Sequence, residues 1–396
     1  MKAIVFGAGK IARGFIGQLL YRSGYEIVFV ESNVQYAKAL DAAGRYYVNV
    51  MGNERESEWI EDHRTYNFQN IEEVADALYR ADIAFTSVVG KNLPELGAMI
   101  ARAFSMRPYV LDSRKRSIVT CENWKNPANV LKTAILATLE SDAQRAIFQA
   151  VFGITEAVVM RSAVEPTEEI LKIDPLAVSV HNYWKLPLDA QRFVGVRQAI
   201  RGVEYLDDFK GFLQQKVYTY NAGNATIAYL GALKGHKLLY EAANDPQIVE
   251  MLGEVYDEIN CALCRELKIT PEKQSKFAQS ALQKYQDRHI MDFTERHGRD
   301  PLRKLGPEDR IVGVARMIQR QGIEPKYVAR TLAAALYYTS DNDSDPTCRA
   351  LMKMRREEGI DMVMEKICKI FPGEPLADFV HVRIDELKRL GWIHES

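Results

Sequence analysis

The sequence predicts an α/β chain: an N-terminal doubly wound parallel sheet followed by a mainly α-helical C-terminal domain. Three observations carry this expectation. Short apolar runs alternate with amphipathic stretches through the first half, strand candidates become scarce after about residue 190, and 396 residues are many for one hydrophobic core. Strands that alternate with helices pair in parallel through right-handed crossovers.

Taken in order, Lys2–Phe6 (KAIVF) and Glu26–Val30 (EIVFV) read as buried strands. Between them a helical pattern carries Ile11, Phe15, Ile16, Leu19 and Leu20. Tyr46–Val50, Asp82–Val88 and Tyr109–Asp112 are further strand candidates, separated by helical patterns at Val74–Leu78 and Leu93–Phe104. From Asp207 to about Lys268, and again from Glu272 onward, the pattern is helical. Pro301, Pro307, Pro325, Pro346, Pro372 and Pro375 punctuate these helices rather than interrupt long ones. The expected domains are residues 1–190 and 191–396.

Composition narrows the function classes. Lys plus Arg number 52 and Asp plus Glu 53, a net charge of -1 that gives no broad field for nucleic acid or an anionic membrane. No apolar run reaches the ~18 residues of a membrane span. The first strand and a glycine loop occupy the first ten residues, where a signal peptide would lie. Five scattered cysteines, an odd number, argue against a disulfide framework and fit a reducing, cytoplasmic setting. A small-molecule partner is expected.

Gly7-Ala8-Gly9-Lys10-Ile11-Ala12 follows the first strand and opens a helix, the context that the G-x-G-x-x-G/A pattern requires. Gly7 permits the tight turn, Gly9 lets backbone approach a pyrophosphate, and Ala12 lets helix and strand pack closely. The helix start offers N–H groups and partial positive charge to the phosphates. Glu31 ends the second strand, where an acid accepts hydrogen bonds from a ribose 2′-OH and repels a 2′-phosphate, so NAD is expected over NADP. Residues 1–190 are thus expected to be a Rossmann-type dinucleotide-binding domain. A turn whose glycines serve only chain reversal would leave Glu31 unexplained.

From this point the chain resembles the polyol-specific long-chain dehydrogenases, the mannitol dehydrogenase family, and within it the phosphate-using members. Gly7 to Gly17 (GAGKIARGFIG) is similar to that family's extended opening, and Cys121-Glu122-Asn123 to a short motif after a central strand. Lys216-Val-Tyr-Thr-Tyr-Asn221-Ala-Gly-Asn224 resembles the signature Lys-x4-Asn-x2-His, and Ala228-Tyr229-Leu230-Gly231 also fits. Gly298-Arg299-Asp300-Pro301-Leu302-Arg303-Lys304-Leu305, with Asp309-Arg310 after it, looks like another family segment. The resemblance implies a helical substrate and catalytic domain and metal-free, NAD-linked hydride transfer with a lysine base. Its substrate would be a sugar alcohol, sugar phosphate or sugar acid, with mannitol 1-phosphate and fructose 6-phosphate as the implied pair. The sequence departs from the family at Asn224, where the signature has histidine, and at Met160, Glu156 and Asp287-Arg288.

Alcohol oxidation needs a base for the hydroxyl proton and stabilisation of the developing alkoxide. A lysine serves as base if burial or nearby cations lower its solution pKa of ~10.4, and an amide such as Asn221 can donate to the oxyanion. On an α-helix, Lys216, Asn221 and Asn224 would lie at about 0°, 140° and 80°, on one broad face. Asn224 can donate and accept but cannot titrate. By residue type alone Lys216 would be a solvated helix lysine; the signature is what makes it a catalytic candidate.

Other features carry two readings. Arg299, Arg303 and Lys304 suit a substrate phosphate or structural ion pairs; Arg13 is similarly ambiguous near the pyrophosphate. Lys10, Ile11 and Asn123 join Gly7, Gly9, Ala12 and Glu31 as cofactor-side candidates, although Asn123 also suits a polar turn. Cys261-Ala-Leu-Cys264 reads as helix core rather than zinc, and His236 as a helix-end histidine. Tyr218, Tyr220 and Tyr229 read as core. Asp341 to Asp345 imitates a calcium loop, but Pro346 and Met352 stand where glycine and an acid are required, leaving a solvated turn. A non-catalytic NAD-binding redox sensor is the alternative to an enzyme.

Overall fold

The computed structural model describes residues 1–340 and 345–393. Residues 341–344 of the calcium-loop look-alike therefore lie outside the described residues. Two compact units divide the chain, Met1–Phe209 and Lys210–Ser396.

Among the described residues the strands are β1 (Lys2–Phe6), β2 (Glu26–Glu31), β3 (Arg45–Val50), β4 (Glu58–Glu61), β5 (Arg64–Asn67), β6 (Ile83–Thr86), β7 (Arg116–Thr120), β8 (Phe152–Glu156), β9 (Ala163–Val164), β10 (Val178–Val180), β11 (Leu186–Asp189) and β12 (Val203–Leu206). The main sheet is six-stranded, in the order β5-β2-β1-β6-β7-β8, and every pair in it is parallel. Both faces are covered, which is why β1 reads as an unbroken apolar run. Ala3 and Val5 pack with Phe15, Ile16, Leu19 and Leu20 on one side. Ile4 and Phe6 pack with Val74, Leu78, Leu96 and Ile100 on the other. The strand order reverses about β1, with β2 on one flank and β6 on the other, so the crevice at their carboxyl ends is the natural ligand position.

Three expectations are corrected. Tyr46–Val50 is strand, but β3 belongs to a second sheet, β4-β3-β10-β9, pairing antiparallel with β4 and parallel with β10. Tyr109–Asp112 is not a strand. Tyr109 turns into an aromatic cluster with Phe104 and Phe152, while Val110 and Leu111 are exposed. The strand is instead Arg116–Thr120, whose Arg116 is buried and donates to the carbonyls of Leu78, Tyr79 and Ala81 at 3.2, 2.6 and 3.2 Å. These close the end of the Ile71–Arg80 helix. Finally, the units divide after Phe209 rather than at 190. β11 pairs with β12, and Leu188 bridges to Ala157, so the segment through Leu206 packs with the sheet.

The second unit is helical, and its prolines start helices. Asp245 and Asp345 cap helices beginning at Pro246 and Pro346, and Thr270 caps one beginning at Pro271. The Val328–Leu336 helix is buried throughout, with Arg330 paired to Glu254 at 2.6 Å and Glu386 at 2.9 Å. Among the described residues no helix is long and apolar enough to cross a membrane.

Candidate active site

In the first unit, β1 runs into Gly7 at φ +98°, where a Cβ would sit 2.4 Å from the Ser87 carbonyl oxygen. Only glycine fits both the conformation and the space. The turn is held by Gly7 N–H donating to Val30 O at 2.7 Å and Ser87 N–H to Phe6 O at 2.8 Å. A Cβ at Gly9 would meet nothing within 4 Å, so its backbone faces open space. The helix that follows carries a π turn over Ala12–Gly17.

Gly7, Gly9 and Glu31 line a cavity of about 470 Å³ together with Ser32, Phe68, Ser87, Val88 and Asn92. The Glu31 carboxylate accepts from Ala8 N–H at 2.9 Å and Asn33 N–H at 3.0 Å, which ties the end of β2 to the glycine loop. A dinucleotide fits this cradle: unobstructed glycine backbone, a helix start and an acid beside one cavity. Sequence reasoning missed the far wall. Glu122, buried after β7, accepts from Thr86 Oγ1 at 2.8 Å and Val88 N–H at 3.0 Å. It thereby braces Val89, a β-branched residue at φ +68° on the cavity rim.

The remaining cofactor-side candidates sit elsewhere. Ala12 is buried in the core and Ile11 packs against it; Lys10 pairs with Glu165; Asn123 is exposed beyond β7. Arg13 is buried, donating to Ala8 O at 2.7 Å and to Leu176 O between the rings of Tyr36 and Tyr46, so it braces the loop from beneath. Arg161 is also internal, donating to Gly14 O at 2.9 Å and Gln18 Oε1 at 2.7 Å.

In the second unit the signature segment is not one α-helix. The Phe209–Lys216 helix passes into a π turn over Val217–Asn221 before the Ala222–Leu233 helix. A π turn closes i→i+5 rather than i→i+4, so residue 221 comes round nearly above residue 216 instead of at the 140° of an α-helix. The turn is held from outside. Tyr285 OH donates to Tyr220 O at 2.9 Å, Gln274 Nε2 to Thr219 Oγ1 at 3.0 Å, and Tyr220 OH meets Ser280 Oγ at 2.7 Å. Gly223 is required by close approach, since a Cβ there would lie 2.1 Å from the Tyr256 hydroxyl.

Lys216 is half-buried. Burial, then the positive charges of Arg310 and Lys284, lower its ammonium from 10.5 to about 7. Burial likewise lowers Lys284 to about 8. Lys304, buried and close to Arg310 and Arg303, falls to about 7. Its amine donates to the His297 carbonyl, so it is tied into the backbone. Arg303 is exposed and paired with Asp300 and, at 2.9 Å, Asp309; Arg299 is exposed. Asn224 faces His297, a residue the sequence gave no reason to single out; its ring Nδ1 is 3.0 Å from the amide Nδ2, and its Nε2 lies 2.9 Å from Asp292.

Of the remaining candidates, His236 Nε2 meets Asp245 at 3.0 Å beside Lys234, a helix-end role. Cys261 is exposed rather than core, Cys264 is partly buried, and no metal cluster occurs among the described residues. Tyr220 and Tyr229 are buried, while Tyr218 is partly so. The family departures have partners of their own: Glu156 with Arg192 at 2.9 Å, Met160 Sδ with Tyr183 OH at 3.4 Å, and Asp287 with His289 at 2.8 Å.

Comparison with known proteins agrees with this architecture. Residues 1–202 match the mannitol dehydrogenase Rossmann domain, and residues 208–361 match the mannitol dehydrogenase C-terminal domain. Mannitol-1-phosphate 5-dehydrogenase of Thermoanaerobacter pseudethanolicus is 29% identical over 390 residues, 98% of each chain. That of Brevibacillus brevis is 30% identical over 394 residues, 100% of each. The fold is shared with Pseudomonas fluorescens mannitol 2-dehydrogenase, solved with NAD and D-mannitol, at a TM-score of 0.74 and 17% identity over 99% of this chain and 92% of that one. It is also shared with a D-sorbitol dehydrogenase, at a TM-score of 0.81 and 16% identity over 98% and 93%. With both family domains matched in order and relatives aligned from end to end, the chain belongs to the mannitol dehydrogenase family.

Proposed function

We propose that the protein is an NAD-dependent dehydrogenase that interconverts a polyol phosphate and its keto sugar phosphate, with mannitol 1-phosphate and fructose 6-phosphate as the pair. The observation that carries this reading is the Lys216 amine, lowered to about 7 on a π turn beside Asn221. A base of that strength is available in both protonation states near neutral pH, as a reversible proton transfer needs. The substrate pair is supported by relatives named mannitol-1-phosphate 5-dehydrogenase that align over the whole chain.

When bound, NAD accepts the hydride from the carbinol carbon. Gly7, Gly9 and the helix start would hold its pyrophosphate, and Glu31 the adenosine ribose. Neutral Lys216 takes the hydroxyl proton in oxidation, and its ammonium returns a proton to the carbonyl oxygen in reduction. Asn221 donates an amide hydrogen bond to the same oxygen as charge develops. The phosphate would be met by cations of the Arg299–Arg310 segment. Arg299 is the stronger candidate, because the charge of Arg303 is already balanced by Asp300 and Asp309.

The test follows NADH absorbance with purified protein across ketose phosphates, free ketoses and uronates. Turnover of a ketose phosphate with little activity on the free ketose supports the reading. NADH binding without turnover of any compound would replace it with the redox-sensor alternative.

A further inference from the structure

The family signature carries a histidine where this chain has Asn224, yet an imidazole occupies the same neighbourhood from a residue 73 positions away. His297 Nδ1 lies 3.0 Å from Asn224 Nδ2 and 3.1 Å from Asn224 Oδ1, so the ring nitrogen faces the amide edge. On the other side of the ring, His297 Nε2 lies 2.9 Å from Asp292 Oδ2, and Arg296 donates to that same oxygen at 2.8 Å. The backbone carbonyl of His297 is held by Lys304, and that of Gly298 accepts from Tyr229 OH at 3.2 Å. The imidazole is therefore fixed on three sides. Asp292, Arg296 and Lys304 are the charged groups hydrogen-bonded around it.

We infer that His297, oriented by Asp292, is a positioning residue that sets which end of the Asn224 amide is offered to the substrate, in place of the imidazole that the signature carries at position 224. The hydrogen-bond inventory gives the logic. His297 and Arg296 hold the Asp292 carboxyl below its usual range despite burial, so it accepts from Nε2–H. With the ring neutral, Nδ1 is an acceptor, takes Asn224 Nδ2–H and leaves Oδ1 outward to accept from a substrate hydroxyl. With the ring protonated, Nδ1–H donates to Oδ1, and the amide turns its N–H outward to a carbonyl oxygen. The nearly equal distances to the two amide atoms admit both states. The protonated state thus suits the ketone and the neutral state the alcohol. The pair also explains how an amide can stand in a signature that uses a titrating ring: proton and amide have been divided between two residues.

This rests on the dehydrogenase reading, and the experiment separates the two. The full-length protein is assayed with NADH and D-fructose 6-phosphate from about pH 5.5 to about pH 9, as wild type, H297Q, H297V and N224H/H297V. NADH binding, read by fluorescence, reports folding. The wild-type rate of ketone reduction should fall at alkaline pH with two ionisations, those of Lys216 and His297. H297Q, which keeps an amide but cannot titrate, should lose about 10- to 100-fold in kcat and show one ionisation only. N224H/H297V, with the ring back at the signature position, should recover to within about threefold of wild type and regain the second ionisation. If the H297V variants fail to bind NADH, H297Q alone decides. An active wild type with an H297Q rate and pH profile indistinguishable from it would overturn the inference and leave the dehydrogenase reading standing. A wild type inactive on every compound tested would remove both.

Discussion

Arg310→Met probes the electrostatics on which the proposed base depends. Lys216 falls from 10.5 to about 7, a drop of about 3.5, with burial the largest cause and Arg310 the next. At a pKa of 10.5 roughly one amine in 3,000 is neutral at pH 7, whereas at about 7 it is roughly half. A cation about 7 Å away at an effective dielectric of about 20 is worth roughly 2 kcal/mol, or at most about 1.5 pH units. Because burial is the larger cause, removing Arg310 should raise the Lys216 pKa by about 1. Arg310 also pairs with Asp309 at 2.8 Å, and the carboxylate left behind pushes in the same direction. The sign follows directly. Oxidation requires the neutral amine, so its rate rises with pH through the lysine pKa and levels above it. In Arg310→Met that rise should move up by about one pH unit, leaving kcat/KM about tenfold low at pH 7 and nearly restored at pH 9. The assay is polyol-phosphate oxidation by NAD across that range. An inflection that stays in place, or a loss of rate that alkaline pH does not rescue, would refute the reasoning.

Further expectations follow from the other parts of the structure. Gly7→Ala places a methyl 2.4 Å from Ser87 O at a φ that alanine avoids, so NADH affinity should fall by about 100-fold or more in a fluorescence titration. Glu31→Ser removes the carboxylate that would repel a 2′-phosphate, and the NADP-to-NAD ratio of kcat/KM should rise about 10- to 100-fold. Arg116→Met leaves the carbonyls of Leu78, Tyr79 and Ala81 without their buried donor; a loss of about 2–4 kcal/mol should appear as a lower midpoint in thermal unfolding.

The fold class was legible because its signals are local. KAIVF alternates residues between the two faces of a covered sheet, and the glycine loop must be contiguous to turn, approach phosphate and start a helix. β7 was hidden because Arg114-Lys115-Arg116 looks like surface, whereas Arg116 is buried against the end of a helix. Tyr109 misled in the opposite direction: its neighbours Val110 and Leu111 are apolar but exposed. At the candidate site the spacing from Lys216 to Asn221 could be read, but the π turn could not. It depends on Tyr285, Gln274 and Ser280, which come from another part of the chain. His297 and Arg310 matter only through contacts across many residues, and no pattern within a short window announces them.

The central claim is that the Lys216 amine, rather than a neighbouring lysine, moves the proton. Lys216→Met tests it with three readings on one protein: NADH binding, thermal midpoint and turnover of fructose 6-phosphate at pH 7. NADH affinity should be unchanged, and the midpoint should hold or rise by a few degrees because a buried ammonium is gone. Turnover should fall about 1,000-fold or more. A variant that binds NADH and still reduces the ketose phosphate at the wild-type rate would contradict the account.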